Sequence, residues 1–119
     1  MEIRSLRDAE PFTTADGSTI RSLLDLGTAP VQHQSLAEAT LPAGASTQRH
    51  YHGDSEEIYY VLEGSGVMEL DSAHARVQAG DAVLIPPGAW HEIRADDGGP
   101  LRFLCACAPP YRHEDTYFG

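Results

Sequence analysis

His50 and His52 stand two residues apart in the stretch Thr47-Gln48-Arg49-His50-Tyr51-His52. Alternate side chains of an extended strand share a face, so one ion can meet both imidazoles. Glu57 follows after Gly53-Asp54-Ser55-Glu56, a polar, loop-prone stretch, and opens the next strand-like run, where it can return a carboxylate to the same place. His91 lies far along the chain, just past the rigid turn Pro86-Pro87-Gly88, and can close the site from a neighbouring strand. Three neutral imidazoles and one carboxylate suit Fe, Mn, Ni, Co, Cu or Zn, and make a poor all-oxygen cage for Ca or Mg. The expectation is one divalent transition metal per chain, with iron or manganese favoured. Four protein ligands on an octahedral ion leave two positions, enough for a chelating substrate or for substrate and dioxygen. Each ligating histidine must be neutral, so occupancy falls as pH drops through the imidazole range.

The elements that must position these residues are short strands. Turn signals fall at Asp16-Gly17, Pro42-Ala43-Gly44, Gly64-Ser65-Gly66, Asp71-Ser72, Gly80-Asp81, Pro86-Pro87-Gly88, Asp96 to Pro100, and Pro109-Pro110. Between them the sequence predicts strands over 19–24, 32–41, 47–52, 57–62, 67–70, 75–77, 82–85, 90–94 and 101–108, a pattern of an all-β sandwich or barrel. One helical turn is expected near Ser5 to Glu10, with Ser5 as cap and Pro11 as stop. In the run 57–62, Glu57, Tyr59 and Val61 share one face and Ile58, Tyr60 and Leu62 the other. Both faces are largely apolar, which predicts a strand buried on both sides.

Composition narrows the function classes. A chain of 119 residues is read as a single domain, 1–119, with a core barrel over about 19–108, an arm at 1–18 and a tail at 109–119. A formal net charge of -10 argues against nucleic acid and anionic membranes, both of which need a basic footprint. There is no apolar run of about 18 residues, and Met1-Glu2-Ile3-Arg4 lacks the pattern of a signal peptide. Cys105 and Cys107 are too close for an unstrained bridge, so both are read as thiols of a reducing cytoplasm.

The same residues carry a family resemblance. Gly44, five residues, His50-Tyr51-His52, four residues, Glu57, six residues and Gly64 match the first cupin motif. Gly80, five residues, Pro86-Pro87-Gly88, two residues and His91 match the second. The asparagine that often ends the second motif is replaced by Ala95, a mild departure, since that asparagine is not a ligand. The resemblance implies a small double-stranded β-helix, or jelly-roll, barrel with little helix, and a homodimer. It also implies a choice of chemistries that the fold does not make. The leading expectation is an iron- or manganese-dependent oxygenase or dioxygenase acting on a small organic, aromatic or polyketide-like molecule. The alternatives are a non-redox isomerase, cyclase or lyase, and a non-catalytic binding or sensing module.

Around the four ligands the sequence offers further candidates. Gln48, two before His50, is expected either to share the inward face and touch substrate or to face solvent at the mouth. Tyr59, in phase with Glu57, is a pocket residue or core packing. Phe103, Cys105 and Cys107 share one face of the last strand, read as small apolar core or pocket wall. Arg102 is expected in a surface ion pair rather than on a substrate carboxylate, and Trp90 in outer packing or a dimer contact. His33 is placed in a long strand without a partner, and His74 in the turn after Asp71. The tail from Tyr111 to Phe118 carries three aromatics that are costly to leave in water, so it either docks over a barrel mouth or frays.

Overall fold

Short alternating runs form strands here because each can bury every second side chain against the opposite sheet. The computed structural model describes residues 1–14 and 16–119. The strands are β1 (Phe12–Thr13), β2 (Thr19–Leu24), β3 (Ser35–Leu41), β4 (His50–His52), β5 (Glu56–Glu63), β6 (Ser65–Leu70), β7 (Ala73–Gln78), β8 (Ala82–Ile85), β9 (His91–Ala95), β10 (Leu101–Ala108) and β11 (Thr116–Phe118). They form two antiparallel sheets, ordered β1-β2-β3-β10-β5-β8 and β11-β4-β9-β6-β7, so the fold is an all-β jelly-roll barrel. The only helix among the described residues is two 3-10 turns, Leu6–Asp8 and His113–Asp115, and no helix is long and apolar enough to cross a membrane. Leu41, Val61, Ile85, Ile93, Leu101 and Phe103 fill the space between the sheets with essentially no exposure.

Several strand bounds differ from expectation for identifiable reasons. The predicted strand over 47–52 shrinks to His50–His52 because the backbone before it is engaged elsewhere. The Thr47 N–H donates to the Ile93 carbonyl and the Gln48 N–H to the Asp16 carbonyl, at 3.0 and 2.7 Å. The strand expected from Gln32 begins at Ser35, which leaves His33 exposed in a bend. Asp71 takes a left-handed φ of 51° and completes the turn early, so His74 sits on β7 rather than in the turn. Ser5 flanks the first 3-10 turn, but its side chain makes no capping bond.

The expectation of a strand buried on both faces is overturned for β5. Glu57, Tyr59 and Val61 are buried, whereas Ile58 and Tyr60 are 42 % and 43 % exposed. Among the described residues nothing covers that outer face. Beside it the outer surface is polar: the buried Glu38 carboxylate lies between Arg102 at 2.9 Å and Arg21 at 3.8 Å, and Arg102 also reaches Glu63 at 3.3 Å.

The arm and tail are not appendages, since each adds an edge strand, β1 to one sheet and β11 to the other. Glycine permits the tightest approach between strands. A Cβ on Gly66, in β6, would stand 2.1 Å from the Arg94 carbonyl oxygen of β9. Relief would require a backbone shift, so Gly66→Ala should cost roughly 1–3 kcal/mol, read from the urea unfolding midpoint. An unchanged midpoint would show that β6 and β9 are not held this closely.

Candidate metal centre

The register of the strands brings the four residues together from both sheets. His50 lies directly opposite His91 in the β4–β9 pair, and their ring centroids are 4.2 Å apart. His52 projects from the same face of β4, two residues on. The turn that leads to His91 is tied to β4, because the Gly88 N–H donates to the His52 carbonyl at 2.7 Å. Glu57 comes from β5 in the other sheet and points across the interior. Its Oε1 approaches His52 Nε2 to 3.2 Å and His91 Nε2 to 3.3 Å. One ligand atom from each residue lies within 4.8 Å of all the others, and all four residues are buried.

The imidazole protons are directed outwards. His50 Nδ1 lies 2.7 Å from the Gln48 carbonyl oxygen and His91 Nδ1 lies 3.0 Å from that of Ala89. A carbonyl accepts only, so each Nδ1 carries the proton and each Nε2 presents a lone pair to the centre. The third histidine has a hydroxyl partner, Thr116 Oγ1, 3.2 Å from His52 Nδ1. Glu57 is held from behind in the same way, since the Cys107 thiol donates to its Oε2 at 3.3 Å.

This arrangement leaves Glu57 Oε1 and His91 Nε2 buried without a hydrogen-bond partner. A carboxylate lone pair therefore faces an imidazole lone pair at 3.3 Å, with both atoms buried. An unsatisfied buried polar group costs about 1–3 kcal/mol, and a cation between the two removes both penalties. The donor set can thus hold a metal ion.

The titration behaviour follows from burial and proximity. Burial opposes ionisation of Glu57, but His52 and His91 outweigh it and hold the carboxyl well below the usual range. Burial, with His91 beside it, lowers the pKa of His50. Burial also works against a charged His52, yet Glu57 overcomes this and raises its pKa above the ordinary 6.5. The Cys107 thiol is pushed up by burial and then by Glu57, and burial likewise raises Cys105 and Tyr59. All three stay protonated at neutral pH.

A cavity of about 80 Å3 is lined by three of the four residues, His50, His52 and Glu57, with His91 buried behind them. At roughly 10–15 Å3 per water on this scale, it has room for several waters or a small organic group. Tyr59, Phe103, Cys105, Cys107, Ile20, Ala39 and Phe118 form much of its wall, and Asp16, Ser18 and Ser22 give it a polar end. Asp16 Oδ1 accepts from the Ser18 backbone N–H and hydroxyl at 2.9 and 2.6 Å.

The sequence candidates separate clearly. Tyr59 is buried on the cavity wall, packed 4.7 Å from Phe103 between ring centroids, and its hydroxyl has no hydrogen-bond partner among the described residues. Gln48 is exposed and does not line the cavity. Both cysteines are free and line it. Arg102 is engaged with Glu38 and Glu63 on the outer surface, away from the cavity. Trp90 packs outside, 4.6 Å from Tyr51 and with Arg49 over its ring at 4.5 Å. His33 and His74 are exposed and stand apart from the cluster. The tail docks, and Tyr111, Thr116 and Phe118 reach the cavity. Sequence reasoning missed Asp16 and Thr116: neither has metal-ligand spacing, and both arrive only through strand pairing at the chain ends.

The family model described as a cupin domain matches residues 37–107. Protein MJ1618 of Methanocaldococcus jannaschii is 49 % identical over 107 residues, covering 90 % of this chain and 86 % of that one. The solved structure of the polyketide cyclase RemF from Streptomyces resistomycificus superposes with a TM-score of 0.79 at 27 % identity, over 97 % of this chain and 89 % of that one. An acireductone dioxygenase of a Sulfurihydrogenibium species is 27 % identical over 77 residues, 61 % of this chain and 43 % of its own length.

Protein purified without a histidine tag should carry about one transition-metal ion per chain, and His91→Ala should lose it. Dialysis against a weak chelator at descending pH should strip the ion. Occupancy that stays constant between pH 8 and 5, or that survives in His91→Ala, would contradict the assignment.

Proposed function

The chain belongs to the cupin family, and from that premise we propose that it is a metal-dependent enzyme acting on a small, oxygen-bearing molecule, aromatic or polyketide-like, held between the two sheets. The observation that carries this reading is the pair of orphaned buried atoms, Glu57 Oε1 and His91 Nε2, facing each other in a cluster of which His50, His52 and Glu57 line a cavity. A divalent ion held by His50, His52, Glu57 and His91 supplies Lewis acidity and orientation to a substrate oxygen.

The chain's own residues then define the substrate's surroundings. Phe103, Phe118, Ile20 and Ala39 cover an apolar body. Tyr59, kept as a neutral phenol by burial, offers a hydroxyl proton to a substrate oxygen. Asp16 accepts from a substrate hydroxyl at the polar end. The cavity wall carries the carboxylates of Asp16, Asp25 and Glu57 and, among the described residues, no arginine or lysine. This composition supports a neutral or singly charged ligand and disfavours a dicarboxylate or a phosphate ester.

Non-redox chemistry, such as cyclisation or isomerisation, is the reading we favour. The likeness to RemF runs over nearly the whole chain. An iron- or manganese-dependent oxygenase is the second reading. The imidazole and carboxylate donors suit those metals, and a dioxygenase is among the relatives. A cytoplasmic location accords with the two free thiols. The uncovered strip of Ile58, Tyr60 and Leu84, 42 %, 43 % and 56 % exposed, supports a homodimer.

The discriminating assay loads the metal-free protein with Zn(II), Mn(II) or Fe(II) and incubates it with phenolic and polyketide-like candidates, with and without dioxygen. Turnover with zinc in the absence of oxygen supports the non-redox reading; a strict need for iron or manganese and oxygen supports the second. Ligand recovered unchanged under every metal would leave a binding module. Tyr59→Phe should lower kcat by about 100-fold or more if its proton is used, with metal content unchanged. Sedimentation should give the mass of two chains, and Tyr60→Glu should shift it to one.

A further inference from the structure

We propose that the C-terminal strand is a working part of the metal centre, with Thr116 and Asp115 as positioning residues for His52 and Glu57. The proposal rests on the metal-binding reading above and assigns two residues outside the ligand set. His50 and His91 secure their Nδ1 protons on carbonyls two residues upstream, so their orientation is a local property of the chain. His52 has no such carbonyl. Its Nδ1 partner is Thr116 Oγ1, at 3.2 Å and 64 residues further on.

The direction of this hydrogen bond is set by the next group outwards. Thr116 Oγ1 lies 3.3 Å from the Arg112 carbonyl, which can only accept. The hydroxyl can therefore donate outwards, to the Arg112 carbonyl or to the Tyr111 hydroxyl beside it, and keep a lone pair to accept from His52 Nδ1–H. A neutral histidine side chain in water prefers its proton on Nε2, the position that here faces the ion. Thr116 reverses that preference at His52 and leaves Nε2 as a donor atom.

Asp115 acts on the connection between two ligands. Its buried carboxylate accepts the Asp54 N–H at 2.9 and 3.0 Å and the Ser55 N–H at 3.2 Å. Its carbonyl accepts the Gly53 N–H at 3.0 Å. Residues 53–55 lie between His52 and Glu57, so the tail holds the span that sets the reach from one ligand to the next. Register completes the arrangement, with Thr116 paired to His52 and Phe118 to His50.

The test compares Thr116→Val, which removes only the hydroxyl, with Thr116→Ser, which keeps it. Imidazole 15N resonances of the metal-free protein at alkaline pH report the His52 tautomer, and chelator competition reports Co(II) affinity. The expected result is an Nδ1–H tautomer in the wild type and in Thr116→Ser. Thr116→Val should move towards Nε2–H and bind Co(II) about 10-fold or more weakly. Asp115→Asn should weaken Co(II) binding while leaving the tautomer unchanged. Metal-free melting curves identify any variant that has lost its fold, and the serine variant then carries the comparison. A tautomer and Co(II) affinity unchanged in Thr116→Val, or equal losses in the valine and serine variants, would overturn the role of Thr116. Wild-type Co(II) affinity in Asp115→Asn would overturn that of Asp115. An Nδ1–H tautomer in a wild-type protein that takes up no Co(II) would instead sink the metal reading, and the positioning role with it.

Discussion

The organising constraint is electrostatic: a carboxylate and imidazole lone pairs are aimed at one point inside the barrel. Without an ion, Glu57 Oε1 and His91 Nε2 are buried and lack hydrogen bonds. Nothing local relaxes them, because each is braced from behind. The Ala89 carbonyl fixes the His91 ring, and the Cys107 thiol fixes the second oxygen of Glu57. The fold thus keeps an arrangement that is unfavourable without a cation, which is the usual signature of a functional site rather than of stability.

The remaining architecture serves that arrangement. The two inner faces supply different chemistry, with the histidines on one sheet and the glutamate on the other. Close approach of β6 to β9 at Gly66 keeps the His91 strand in register. The outer faces are relieved of site duties and hold ion pairs, an aromatic cluster around Trp90 and the exposed strip on β5. The two chain ends, which look dispensable in a linear reading, line the cavity with Phe12, Thr14 and Asp16 from one end and Tyr111, Thr116 and Phe118 from the other.

Much of the centre was legible in the sequence because spacing carries physical information. A two-residue separation in a strand puts His50 and His52 on one face, and turn residues fix where Glu57 and His91 re-enter. The strand pattern was readable for the same reason, since glycine and proline punctuate it. What could not be read depends on contacts between distant segments. The outer face of β5 looked buried because its composition is apolar, yet burial is decided by whether another layer exists. Gln48 follows the alternation on paper, but its N–H is claimed by the Asp16 carbonyl and the strand starts later. Thr116 and Asp115 have no spacing signal at all, because their partners lie about sixty residues away.

That the donors come from opposite sheets has a consequence for the molecule as a whole. An ion bound to β4, β9 and β5 together is a cross-link between the two layers of the barrel, closing a span that otherwise rests on apolar packing. Separation of the layers then requires release of the ion, so folding and metal uptake become linked equilibria. At a free metal concentration about 100 times the dissociation constant, such linkage adds about 2.7 kcal/mol to the folded state. If the centre is filled in this way, the protein's lifetime in a cell tracks the supply of the ion, and scarcity removes the fold as well as the filled site.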